Sequence, residues 1–190
     1  ANAQSYDAGA AGNNLNMSAG LTTTFSSSAD VITFIGTVRL SAGTNFVVNT
    51  VGGVLTVGSI RGTAGETVTL NTGAAALTVN AAIGSGAEIG DVTLQSSDIS
   101  LGGLVTSVGV VSFYTATGAA TMGVGGGAGT YQLDDVDVAN ISAATLVRIG
   151  QAGVQFGLIT VQPASFGAGV AGLEVNSNSG AGGVALDDVA

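Results

Sequence analysis

The chain has 190 residues, 46% hydrophobic and 8% charged, with 32 Gly, no His, no Cys and a formal net charge of −9. Without His or Cys there is no Ser-His-Asp triad, no Cys-His pair, no disulfide and no His- or Cys-ligated zinc. Its only cations are Arg39, Arg61 and Arg148, too few to neutralise a nucleic-acid backbone or to dock on an anionic membrane surface.

Gly, Ser and Thr interrupt every apolar stretch before the roughly 18 to 20 residues of a spanning helix. The charged fraction is far below the usual ~25% of soluble domains, and Gly this abundant disfavours helix in general. The expectation is an almost all-β chain.

Residues 1–30 are the least regular part. Asn13-Asn14 and Ser26-Ser27-Ser28 are turn chemistry, with short strand candidates at Leu15-Asn16-Met17 and Thr22-Thr23-Thr24. The segment reads as an irregular N-terminal coil or cap, or as the frayed end of an array. From residue 31 to 190 the pattern is that of a repeat array. Ile32-Thr33-Phe34, Val38-Arg39-Leu40 and Phe46-Val47-Val48 come first, with Arg39 alternating outward.

The clearest register lies in residues 54–133. Leu55-Thr56-Val57, Leu77-Thr78-Val79 and Ile99-Ser100-Leu101 recur 22 residues apart, and Val68-Thr69-Leu70 and Val92-Thr93-Leu94 recur 24 apart. Each triplet is a period-two strand with an apolar face and a hydroxylated face. Repeats of this length, separated by Gly and Ala, mark a solenoid. The predicted fold is a right-handed parallel β-helix with coils of roughly 22–28 residues. Its inward columns would be Leu55, Leu77, Ile99, Met122; Val57, Val79, Leu101, Val124; Val68, Val92, Val111, Tyr131; and Leu70, Leu94, Phe113, Leu133. Thr56, Thr67, Thr69, Thr78 and Thr93 would face water, and Asn71 and Gln95 would form a short amide ladder at one corner.

Residues 134–190 keep the strands, with inward pairs Val147/Ile149, Ile159/Val161, Leu173/Val175 and Val184/Leu186. Leu133-Asp134-Asp135-Val136 recurs as Leu186-Asp187-Asp188-Val189, and the second copy breaks off mid-pattern at Ala190. The expectation is a segment of a longer array, or a subunit that stacks end to end into a filament.

Residues Gly123 to Gln162 resemble repeats of very large bacterial surface proteins of the filamentous haemagglutinin type. The matching positions are Gly129, Thr130, Leu133, Asp135, Ile141, Ala143, Thr145, Leu146, Ile149, Gly150 and Ile159-Thr160-Val161. The resemblance implies a right-handed parallel β-helix, export across the outer membrane, and an adhesive or matrix-forming role at the cell surface, with host or matrix glycans as partners.

Candidate sites are few. Asp134, Asp135 and Asp137 form the densest acidic cluster. If the strand continues, Asp135 and Asp137 share a face and could act as paired carboxylates, which keeps a carbohydrate-active β-helix enzyme open as an alternative. The same three residues are the weak calcium candidates. Against both, the recurrence of the motif favours an architectural turn with Asp accepting backbone N–H bonds. Gly126-Gly127-Ala128-Gly129-Thr130-Tyr131 approaches a calcium-roll repeat, but Tyr131 occupies the ligand position, so it reads as a corner. Tyr114, outward beside inward Phe113, is the ligand candidate. No catalytic residue and no cofactor is assigned. The function expected is a non-enzymatic segment of a secreted surface fibre or adhesin, with a phage or virus fibre as a further alternative.

Overall fold

The structure is a computed structural model that describes residues 2–9, 13–63, 65–84, 89–142, 145–178 and 182–187. Ala143, Asp188 and Val189 therefore lie outside the described residues. The first coil carries β1 (Gln4–Asp7), β2 (Asn14–Met17) and β3 (Thr22–Ser26), and the second β4 (Ile32–Leu40) and β5 (Asn45–Asn49). Next come β6 (Leu55–Arg61), β7 (Glu66–Asn71), β8 (Ala76–Val79) and β9 (Ile89–Ser96). They are followed by β10 (Asp98–Leu101), β11 (Val105–Thr106) and β12 (Val110–Thr115). The sixth coil holds β13 (Met122–Val124), β14 (Tyr131–Leu133), α1 (Asp135–Ala139), β15 (Ile141–Ser142) and β16 (Leu146–Ile149). Then come β17 (Leu158–Val161), β18 (Leu173–Val175) and β19 (Gly183–Leu186). Among the described residues α1 is the one helix, and no helix is long and apolar enough to cross a membrane.

Among the described residues every strand pair is parallel, and all but the β13–β14 pair within the sixth coil join one coil to the next. The longest sheet runs β3-β5-β7-β9-β12-β16-β18. Its inward columns are Thr23, Phe46, Val68, Val92, Val111, Val147, Leu173 and Phe25, Val48, Leu70, Leu94, Phe113, Ile149, Val175. A second sheet pairs β1, β4, β6, β8 and β10, stacking Ile32, Leu55, Leu77, Ile99 and Phe34, Val57, Val79, Leu101. The strand β4 serves two faces. Its register with β6 shifts between Phe34 and Thr37, where Gly36 takes a φ of +88° that only Gly adopts freely. Past that bend, Val38 and Ile60 join Ile83, Val105 and Ile141 in a third inward column.

The expected outward Thr residues alternate with buried apolar ones as predicted: Thr56, Thr67, Thr69, Thr78 and Thr93 are all partly exposed. The core is mainly aliphatic, with an aromatic cluster at the N-terminal end. There Tyr6 stacks on Phe34 with ring centroids 5.0 Å apart, and Phe25 meets Phe34 and Phe46 edge-on at 5.0 and 5.8 Å. Here β1 and β2 pair with β4, and β3 pairs with β5.

The sixth coil departs from the expected columns. Tyr131 and Leu133 do not follow Val111 and Phe113; Val147 and Ile149 take those places. Instead β14 pairs with β13 of its own coil, Tyr131 opposite Met122 and Leu133 opposite Val124. It packs between β13 and β10, so Met122 is not the direct successor of Ile99. The cause is the turn after Val124, where Gly125 and Gly126 take φ of +64° and +81° and send the chain back to the same face. Val111 pairs with Val147, a coil of 36 residues, and Val92 with Val111, a coil of 19. Both fall outside the expected 22–28. In the last described coil Leu173, Val184 and Leu186 continue their columns but are exposed, Leu186 at 81%.

Candidate functional site

The acidic cluster sits where the inserted strand meets α1. Asp134 is the helix N-cap: its backbone is extended, and its Oδ1 accepts from the Asp137 N–H at 2.9 Å. Asp in this place satisfies an otherwise orphaned donor, and acids in the first turn suit the helix dipole. Asp135 lies in that first turn, exposed. Because the backbone turns helical, Asp135 and Asp137 do not share a face as they would on a strand; the expected carboxylate pair is not formed.

Asp137 instead turns inward and is only 6% exposed. Its Oδ1 accepts from the Leu101 N–H at 2.6 Å, while Asn140 Nδ2 donates to the Leu101 carbonyl at 2.6 Å. One acceptor and one donor thus stand where a neighbouring strand would present its peptide group. One side chain of α1 and one at its C-cap satisfy the end of β10, which a buried backbone requires. Burial pushes the Asp137 carboxyl above its ordinary range; the Leu101 N–H opposes that shift, and the charge of Asp134 adds to it. Among the described residues no group of three or more acids could hold a metal ion.

Beside this junction a concavity of about 460 Å³ opens, lined by Ser97, Asp98, Ala116, Thr117, Thr130 and Gln132 among others. Beneath it lie two fully buried hydroxyls, Ser96 Oγ and Tyr131 Oη, neighbours without hydrogen-bond geometry between them or to any other described group. Burial raises the Tyr131 pKa. The concavity offers hydroxyls, an amide and one carboxylate. That suffices to hydrogen-bond a polar ligand; among the described residues of its walls Asp98 is the one carboxylate.

Tyr114, the expected ligand contact, is half-exposed on β12 in register with Gln95. It neighbours Arg148, whose pKa is raised by Glu174 first and by Tyr114 second. The Arg148 Nε and Nη2 both donate to Glu174 Oε2, at 3.1 and 3.0 Å. The structure therefore places Tyr114 beside an ion pair and well apart from the acidic turn in the strand order.

The expected amide ladder takes another form. Asn49, Asn71 and Gln95 stack in register, yet Asn49 and Asn71 each accept a backbone N–H two residues on, from Val51 at 3.2 Å and Gly73 at 2.8 Å. Such Asx turns are local and satisfy the corner at once. Next to them runs a column that sequence reasoning missed. Ser27, Thr50 and Thr72 each donate a hydroxyl to the carbonyl three residues ahead, Asp30, Gly53 and Ala75. A hydroxyl residue directly after each Asn at 49–50 and 71–72 was the available signal. Gln155 was missed as well: buried, it accepts from Thr115 Oγ1 at 2.7 Å and donates to the Ala120 carbonyl at 2.7 Å.

These ladders and columns define a parallel β-solenoid of about seven turns. Comparison with protein-family models, with curated proteins and with solved structures gives no match to this chain.

Proposed function

We propose that this chain is a non-enzymatic structural segment of a secreted bacterial surface fibre or adhesin, of the filamentous haemagglutinin type. The observation that carries the reading is the use made of the acidic cluster: Asp134 caps a helix and Asp137 completes a strand ladder, so two of its three carboxylates have architectural roles. The resemblance over Gly123 to Gln162 supports the family and the surface location. Glycans of a host or matrix are the expected partners. End-to-end association with a second copy belongs to the same proposal, since an open parallel edge invites another strand.

The test combines turnover and attachment. Displayed on a non-adherent bacterium, the segment is expected to increase binding to glycan-coated surfaces and to leave neutral and acidic polysaccharides intact. Polysaccharide cleavage that disappears in Asp135→Asn would replace this reading with the enzyme one.

A further inference from the structure

Arg39 and Arg61 stand in register on β4 and β6, both exposed, one inter-strand step of about 4.8 Å apart. Like charges directly opposite each other on a sheet repel. With three Arg against twelve acids in the chain, chance pairing of two cations is not the arrangement that charge balance favours. Arg148 shows what an Arg committed to architecture looks like here. It is in register with Glu174, bonds it through two nitrogens, and Asn176 Nδ2 holds the other Glu174 oxygen at 2.8 Å. That is the one ion pair among the described residues.

The surroundings of Arg39 and Arg61 supply donors. On the preceding coil Asn16 lies opposite Arg39. Two positions earlier on the same outward face, Asn14, Thr37 and Ser59 line up across the same three strands, and the Thr37 and Ser59 hydroxyls are 2.7 Å apart. A guanidinium presents a fixed fork of N–H groups that matches an oxyanion, and two forks side by side converge on one.

We propose that Arg39 and Arg61, flanked by Asn16, Thr37 and Ser59, form a binding site for a single sulfate or phosphate group carried on a short, otherwise neutral molecule. The limit on ligand size follows from charge. Removing the two Arg from the total of −9 leaves −11 on the remainder, so a long polyanion is repelled wherever it runs beyond the patch by more than a Debye length, about 10 Å at moderate salt. The site needs neither the fibre role nor any glycan partner proposed above.

The test is thermal unfolding and calorimetric titration of the whole chain with inorganic sulfate, inorganic phosphate and acetate, each against chloride at equal ionic strength. Variants are Arg39→Gln, Arg61→Gln, the double variant, and Arg148→Gln as control. Sulfate or phosphate should raise the melting temperature of the parent chain above its value in chloride. The rise should fall to half or less in each single variant, vanish in the double variant and persist in Arg148→Gln. In chloride at low ionic strength, Arg39→Gln should melt no lower than the parent, because a repulsion has been removed. Sulfate also stabilises proteins by exclusion from their surface; a rise of equal size in the parent and the double variant would be that effect alone and would overturn the site, as would identical melting in sulfate and chloride. Monosulfated and monophosphorylated sugars, titrated separately, identify which ester is preferred. Tighter binding of dextran sulfate than of either monoester would overturn the short-ligand assignment.

Discussion

Asp137 carries a carboxyl into a place where burial opposes its charge, and holds it there because the Leu101 N–H needs an acceptor. Its native pKa lies above the unfolded one, so the native state binds the proton more tightly. The stability this group contributes is full below the ordinary carboxylate range and is lost as pH rises through the raised native value. Asn at this position keeps an acceptor for Leu101 without the charge. The melting temperature of Asp137→Asn should therefore gain on that of the parent as pH rises from about 3 to 8; a gap that stays constant with pH would show that Asp137 titrates as an ordinary surface acid. Asp137→Ala leaves the Leu101 N–H buried and unpaired, at a cost of about 1–3 kcal/mol, measurable by denaturant unfolding at neutral pH.

At the scale of strands, register decides which residues are sensitive. Leu77 is fully buried between Leu55 and Ile99, while Thr78 beside it faces outward. Leu77→Asp should cost about 3 kcal/mol or more by burying an unpaired charge, and Thr78→Asp should stay within about 0.5 kcal/mol. Equal losses at the two positions would contradict the ladder. The strands β13 and β14 depend on close backbone approach. A Cβ at Gly123 would lie against the Gly127 carbonyl and 2.8 Å from Gln132 Oε1. Gly123→Ala should cost about 1–3 kcal/mol through this overpacking. The loss should appear as faster hydrogen exchange in 121–133, with 55–79 protected as in the parent chain.

For the molecule as a whole, each coil contacts its neighbours, so stability is a sum of coils and interfaces. Side-chain ion pairs contribute little to that sum, since Arg148–Glu174 is the one pair among the described residues. If copies stack end to end, backbone pairing and the exposed column residues must hold them, and the assembly should resist salt. Light scattering of the isolated chain at low and high ionic strength checks this: dissociation at high salt would mean that charge holds the junction, and a monomer at both would remove end-to-end stacking from the proposal.

Much of this architecture was legible from the triplets alone. An apolar–Thr–apolar triplet states which side chains point inward, because the strand period is two, and a constant 22-residue spacing states that Leu55, Leu77 and Ile99 share a column. The same reasoning could not place Tyr131-Gln132-Leu133. A triplet fits any column equally well, and the 20 residues from Val111 to Tyr131 look like one coil. The positive-φ turn at Gly125–Gly126 and the vacant position beside β10 assigned it to another face. The acids from Asp134 on read as a strand or a turn; α1 formed there instead, and only packing made Asp137 a partner of Leu101, 36 residues away. Alternation alone turned Arg39 outward. That it stands beside Arg61 depends on the bend at Gly36 and the register of β4 on β6, because contact between residues a full coil apart exists only once the coils have stacked.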